Sequence, residues 1–209
     1  MIDRADNRLN ELESDALTEL VNIGVSRAAV ALRGLVGEQV LLSVPSLSVL
    51  SRAEAAALLE RPESHLLVAI RQAFHGEFSG RALLIFPEAN SLELVRAVAR
   101  GELELEDIIE LEQEALAEIG NIILNGCMAT VANLLQRRLT MSLPEVIRGR
   151  ALDFFEVSRS VSDDVVLFVH INFALKEREI SGYIAMVMDF LSIATLKTLV
   201  GEFIQRSTG

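Results

Sequence analysis

Sliding the chain along itself by 99 residues lays Ala16-Leu17-x-Glu19-x-x-Asn22-Ile23 over Ala115-Leu116-x-Glu118-x-x-Asn121-Ile122. The same offset sets Leu35 on Leu134 and Ser43-x-Pro45 on Ser142-x-Pro144. Farther on, Ser79-Gly80 answers Ser181-Gly182 at an offset of 102, which a loop insertion would produce. Two copies of a unit this long cannot be a solenoid repeat or an array. The expected arrangement is one domain over residues 1–209, with pseudo-twofold halves of about 1–103 and 104–209.

Each copy opens with apolar residues at helical spacing: Leu9, Leu12, Ala16, Leu20, Ile23, Ala28, Leu32 and Leu35 in the first, Ile108 through Leu135 in the second. Gly37 is a suitable stop for the first helix. Strands follow at Val40 to Leu47 and Leu139 to Ile147. Arg52 to Glu60 is alanine-rich and reads as helix, whereas Ala151 to Ser158 fits helix or strand. Hairpins come next, Leu66–Phe74 with Phe78–Phe86 and Val165–Leu175 with Ile180–Met188. A closing helix ends each copy, Leu92 to Arg100 capped by Asn90 and Phe190 to Gln205 capped by Asp189. The sum is an α+β domain with about six strands.

Composition narrows the function classes. A net charge of −11 argues against nucleic acid or an anionic membrane surface as the main partner. The single cysteine, Cys127, excludes an internal disulfide and a thiolate zinc cage. The first eight residues are polar, and no run approaches the roughly 20 apolar residues that span a bilayer. A cytoplasmic protein without membrane insertion is expected. The seven acids between Glu102 and Glu114 read as a solvated turn entering a helix N-terminus, where negative charge is favourable.

Asp15, Glu19, Asn22 and Ser26 fall within an arc of about 60° opposite the apolar stripe. Glu114, Glu118, Asn121 and Asn125 repeat that arc on the second helix. A polar stripe on an amphipathic helix needs no function to explain it. Here, however, Glu and Asn recur at one spacing, each Asn followed 23 residues later by Pro.

Asp/Ser-x3-Glu-x2-Asn-x22-Pro resembles the signature of the CheC, CheX and FliY phosphatases of bacterial and archaeal chemotaxis. Asp15, Glu19, Asn22 and Pro45 fit it fully; Glu114, Glu118, Asn121 and Pro144 fit except that Glu114 stands where Asp or Ser is usual. Two motif helices resemble CheC more than CheX, which carries the signature once. The resemblance implies a CheC-like fold with the motif helices packed on an antiparallel sheet. It also implies hydrolysis of the phosphoaspartate on a CheY-like response regulator. The receiver brings Mg²⁺ and a lysine to its own acyl phosphate, so no cofactor or metal of this chain is implied. Asn22 or Asn121 would orient the attacking water, and Glu19 or Glu118 would pair with the receiver lysine. Asp15, Glu114, Pro45 and Pro144 would support the motif, the prolines by setting a strand edge or bend. The rival reading is a non-catalytic module that binds a phosphorylated receiver, a CheD-like deamidase or a flagellar component.

The chain departs from the family after the first Asn, reading Ile23-Gly24-Val25-Ser26-Arg27 where Ile-Gly-Ala-Gly-Asn is frequent. Other constellations are poor. His65, His75 and His170 lack ligand spacing, and Cys127 falls about 220° from Glu114 on the buried side of its helix. No glycine-rich phosphate loop and no basic, aromatic-interleaved patch is present.

Overall fold

The computed structural model describes residues 9–37, 39–60, 66–98, 105–156, 165–175 and 178–208. Helix α1 (Glu11–Val36) starts on a capping box, in which Asn10 accepts from the Glu13 amide and Glu13 accepts from the Asn10 amide. Gly37, at φ 78°, takes the left-handed conformation that ends it. Strand β1 (Val40–Ser51) runs into α2 (Arg52–Leu59), which a second capping box from Ser51 initiates. Then come β2 (Leu67–Gly76), β3 (Gly80–Pro87) and, after a 3₁₀ turn at Glu88–Asn90, α3 (Ser91–Val98). The second half holds α4 (Leu105–Leu134), β4 (Leu139–Met141), β5 (Glu145–Gly149) and α5 (Ala151–Phe154). It closes with β6 (Val165–Leu175), β7 (Arg178–Met188) and α6 (Phe190–Thr208).

All pairings are antiparallel, in the order β1-β6-β7-β3-β2-β4, with β5 also on β2. Alternation along the strands sorts side chains to two faces. Val68, Ile70, Phe74, Leu84, Phe86, Leu167, Val169 and Ile184 pack beneath α1, α3, α4 and α6. Leu67, Ala69, Leu83, Ile85, Val166 and Phe168 pack with α2 and α5 on the opposite face. The two halves therefore share one sheet, joined at β3 and β7.

Ladder registers test the repeat directly. On β2 the partner of Phe74 is Gly80, and on β6 the partner of Phe173 is Ile180. Phe74 and Phe173 are 99 apart, but Gly80 and Ile180 are 100 apart, so the hairpin adds one residue. Ser79-Gly80 thus corresponds to Glu179-Ile180, and the expected match to Ser181-Gly182 is corrected: Gly182 lies opposite Ile171, two positions farther along. Each half also carries one extra residue at the same place. Val44 and Pro45 bulge opposite Ile171, and Ser142, Leu143 and Pro144 face Gln72 and Ala73. In the second half this interruption splits one strand into β4 and β5, so six strand positions hold seven described strands rather than about six.

Three further expectations change. Asn90 lies in the 3₁₀ turn, while Asp189 does cap α6, its Oδ1 accepting from the Ser192 amide at 2.7 Å. The acidic join is helical from Leu105 onward. Glu112 there accepts from Ser91 Oγ at 2.6 Å and pairs with Arg148 at 2.7 Å, tying α4 to α3 and β5. Finally, Leu111–Leu134 is long and apolar enough to cross a membrane by length and composition, contrary to the reading of the bare sequence. Its apolar face lies against α1 and the sheet, and just over half of it is buried, as in a core helix.

On the α5 face, Arg81 donates to Glu156 at 2.6 Å, and this hydrogen bond holds the Glu156 carboxyl below the usual glutamate range. A depressed carboxyl contributes stability above the unfolded-state pKa and loses it as pH falls through the folded-state value. Glu156→Gln is expected to lower unfolding free energy at pH 7 and to differ less from the parent chain in acid. Denaturant titrations at the two pH values check this.

Candidate functional site

Helices α1 and α4 lie against each other at small residues. A Cβ on Gly24 would stand 2.9 Å from the Cys127 carbonyl, and one on Gly126 would stand 3.1 Å from Ala28 Cβ. α4 also sits close on β2, where a Cβ on Gly120 would meet Ile70 Cβ at 2.6 Å. With these faces turned inward, the polar stripes turn out. Asp15, Glu19 and Ser26 on α1 are exposed, as are Glu114 and Glu118 on α4; Asn22, Asn121 and Asn125 are half-buried. Each Glu–Asn pair is separated by one helical turn on one face. Arg27 is exposed beside the first pair.

The two sites differ in what surrounds the Asn. Gln72, 1% exposed, is a polar residue at an inward position of β2, between Ile70 and Phe74. Its Nε2 donates to the Ser142 carbonyl at 2.8 Å and reaches Asn121 Oδ1 at 3.3 Å and Asn125 Oδ1 at 3.4 Å. Asn125 Nδ2 in turn donates to Asn121 Oδ1 at 2.6 Å. A backbone carbonyl can only accept, so Ser142 fixes which end of Gln72 points outward. That in turn fixes both asparagine carboxamides. Gln72 Oε1 is left buried without a hydrogen bond, which costs about 1–3 kcal/mol. In the first half, Ile171 occupies the register position of Gln72 and Ser26 that of Asn125. Among the described residues, none hydrogen-bonds the Asn22 side chain.

Gln72 and Ser142 are the residues that reading for motifs missed as a unit. The available signal was a lone glutamine on the apolar face of β2, at strand period from Val68 and Ile70.

Pro45 and Pro144 both sit at the strand irregularity of their half, where a residue without an N–H leaves no ladder donor unpaired. The break at Ser142–Pro144 is what leaves the Ser142 carbonyl available to Gln72.

The other sequence candidates are placed as follows. Cys127 is fully buried, and desolvation pushes its thiol up to about 12. It is expected to resist a thiol reagent in the native protein at pH 8 and to react fully once denatured. His75 is exposed at the end of β2; His170 stacks on Tyr183 at 5.1 Å between ring centroids. His65 lies outside the described residues. Among the described residues, no group of three or more His, Cys, Asp or Glu converges as a metal site.

A curled antiparallel sheet carrying two long helices with outward Glu–Asn pairs defines a class of duplicated α+β proteins. A family model described as chemotaxis phosphatase CheX matches residues 68–168, a range that includes the α4 motif and not that of α1. The CheY-P phosphatase CheC of Bacillus subtilis is 25% identical over 207 residues, covering 93% of this chain and 97% of that protein. The flagellar motor switch phosphatase FliY of Bacillus subtilis is 25% identical over 198 residues, covering 93% of this chain but 50% of that protein, so the chain spans half of FliY. Among solved structures, Thermotoga maritima FliY superposes with a TM-score of 0.72 at 18% identity, covering 95% of this chain and 98% of that one. FliM from the H. pylori FliM–SpeE complex gives 0.63 at 13% identity, covering 94% and 98%. CheX from the Borrelia burgdorferi CheX–CheY–BeF3–Mg²⁺ complex gives 0.50 at 13% identity, covering 82% and 99%. The chain is thus similar along most of its length to the CheC and FliY phosphatases, and over its middle half to the CheX family model.

Proposed function

We propose that this protein hydrolyses the phosphoaspartate of a CheY-like response regulator in the cytoplasm, working as one duplicated domain. The observation that carries the reading is the pair of solvent-facing Glu–Asn steps, Glu19/Asn22 on α1 and Glu118/Asn121 on α4. A relative named CheY-P phosphatase and a CheX solved together with CheY support it.

The chemistry asked of this chain is positional. Glu19 or Glu118 pairs with the receiver lysine and sets the docking geometry. Asn22 or Asn121 then holds a water in line with the phosphorus. Attack by that water breaks the bond between phosphorus and the aspartyl oxygen, releasing inorganic phosphate and the free carboxylate. Mg²⁺ belongs to the receiver, and the protein contributes no cofactor of its own. Asp15 and Glu114, one turn before each Glu, act as supporting residues.

The test is decay of a CheY-type receiver phosphorylated with acetyl phosphate, followed after donor removal with this protein substoichiometric. Many turnovers per molecule are expected. Stable binding without faster decay would overturn the reading. It would favour a non-catalytic module for a phosphorylated receiver, a CheD-like protein or a flagellar component, the alternative that the likeness to FliM supports.

A further inference from the structure

We propose that Gln72 is a positioning residue that makes the two motif sites unequal, holding Asn121 latent and leaving Asn22 to orient the attacking water. This inference rests on the phosphatase reading. A water aimed at phosphorus uses a lone pair for the attack, so its protons must be directed by acceptors. An amide N–H would occupy one of the two lone pairs, whereas an amide oxygen takes a proton and leaves both lone pairs for the attack, so the orienting role proposed here uses a free carboxamide oxygen.

A carboxamide oxygen has two lone pairs, and both of those on Asn121 Oδ1 are engaged, one by Asn125 Nδ2 at 2.6 Å and one by Gln72 Nε2 at 3.3 Å. Asn121 therefore presents an N–H donor outward and no free acceptor. Turning the carboxamide over would set its NH₂ against the Gln72 and Asn125 NH₂ groups, each of which offers only donors there. Rotation of Gln72 is blocked in the same way, because its Oε1 would then face the Ser142 carbonyl. The clamp is thus closed by a chain of fixed orientations that begins at a backbone atom.

Among the described residues, the first half has no such chain. Ile171 cannot donate, and Ser26, at the position of Asn125, is exposed on the outer face of α1. Asn22 keeps both its acceptor and its donor for a ligand. The duplication has kept the Glu–Asn spacing in both halves while the neighbouring residues have made one carboxamide free and the other committed.

The experiment compares stimulated decay of the phosphorylated receiver for the full chain, Asn22→Ala, Asn121→Ala, and Asn22→Ala combined with Gln72→Ile, the residue of the first half. Asn22→Ala is expected to lose on the order of 100-fold and Asn121→Ala to retain most of the activity. Adding Gln72→Ile to Asn22→Ala is expected to restore activity by freeing Asn121 Oδ1, a gain that loss of a merely structural residue does not produce. If Asn121→Ala is the damaging change, or if Gln72→Ile gives no recovery, the inference falls while the phosphatase reading stands. If the full chain does not stimulate decay, the phosphatase reading falls and takes this inference with it.

A second readout tests the clamp itself without any receiver. The side-chain amide hydrogens of Asn125, half-buried like those of Asn22 but donated to Asn121 Oδ1 at 2.6 Å, are expected to exchange with solvent far more slowly than those of Asn22 in NMR spectra of the native protein. Equal exchange would overturn the clamp whatever the activities show.

Discussion

Asn22→Ala combined with Asn121→Ala should abolish stimulated hydrolysis of a phosphorylated receiver while leaving the fold in place. Removing one preorganised hydrogen-bonding group from a transition state costs about 2.7–4 kcal/mol, or roughly 100- to 1000-fold in rate. With both asparagines gone, no carboxamide of either motif remains to hold the water. The fold should survive because both side chains belong to outward stripes, and the apolar faces of α1 and α4 are untouched. Gln72 keeps its strongest hydrogen bond, to the Ser142 carbonyl at 2.8 Å. The checks are single-turnover decay of the phosphoreceiver and thermal unfolding of the same samples. Decay at the parent rate from a folded double variant would sink the proposed role of both motifs.

The second large effect lies under α4. A Cβ at Gly120 would stand 2.6 Å from Ile70 Cβ and 2.8 Å from Ile70 Cγ1, in a core position that is fully buried. Isoleucine is branched and stiff at χ1, so it cannot swing aside as a long flexible chain would. Gly120→Val should therefore force the helix off the sheet and destabilise the protein by on the order of 3 kcal/mol, despite the weak helix propensity of glycine. Because Asn121 is the next residue, the displacement should also draw Asn121 away from Gln72 on β2. Ile70→Ala alone should cost about 2–5 kcal/mol by opening a cavity. In the double variant the valine occupies part of that cavity, so its loss should be smaller than the sum of the singles. Denaturant unfolding of the four chains measures the coupling. Simple additivity would show that the Gly120–Ile70 contact does not set the helix–sheet distance.

Much of this architecture is legible in the chain. α1 ends at Gly37, α2 starts at Arg52, β6 spans Val165–Leu175 and α6 is capped by Asp189, as periodicity and capping residues indicate. These are local properties, carried by side-chain spacing and by single backbone conformations. The outward direction of Glu19, Asn22, Glu118 and Asn121 is legible for the same reason, since it follows from the apolar stripe on the other side of each helix. Registers are less accessible. Ser79-Gly80 and Ser181-Gly182 match as letters, but strand pairing places them two steps apart, because hairpin length and not dipeptide identity fixes which residues face each other. The apolar run of α4 likewise has one composition whether it lies in a core or a bilayer; only the surfaces of α1 and β2 against it decide between them.

By itself the sequence determined that the chain is duplicated, that its halves are α+β, and that two Glu–Asn pairs face outward on equivalent helices. Those conclusions follow from periodicity and self-similarity, which need no knowledge of distant contacts. Only the tertiary structure decided that the two pairs are chemically different. Gln72 is separated by 49 residues from Asn121 and by 70 from Ser142, and no local pattern links them. The link forms because Gly120 lets α4 settle on β2 while the break at Pro144 frees a carbonyl beside it. A hydrogen bond depends on positions set to a few tenths of an ångström, and here those positions come from packing between distant parts of the chain.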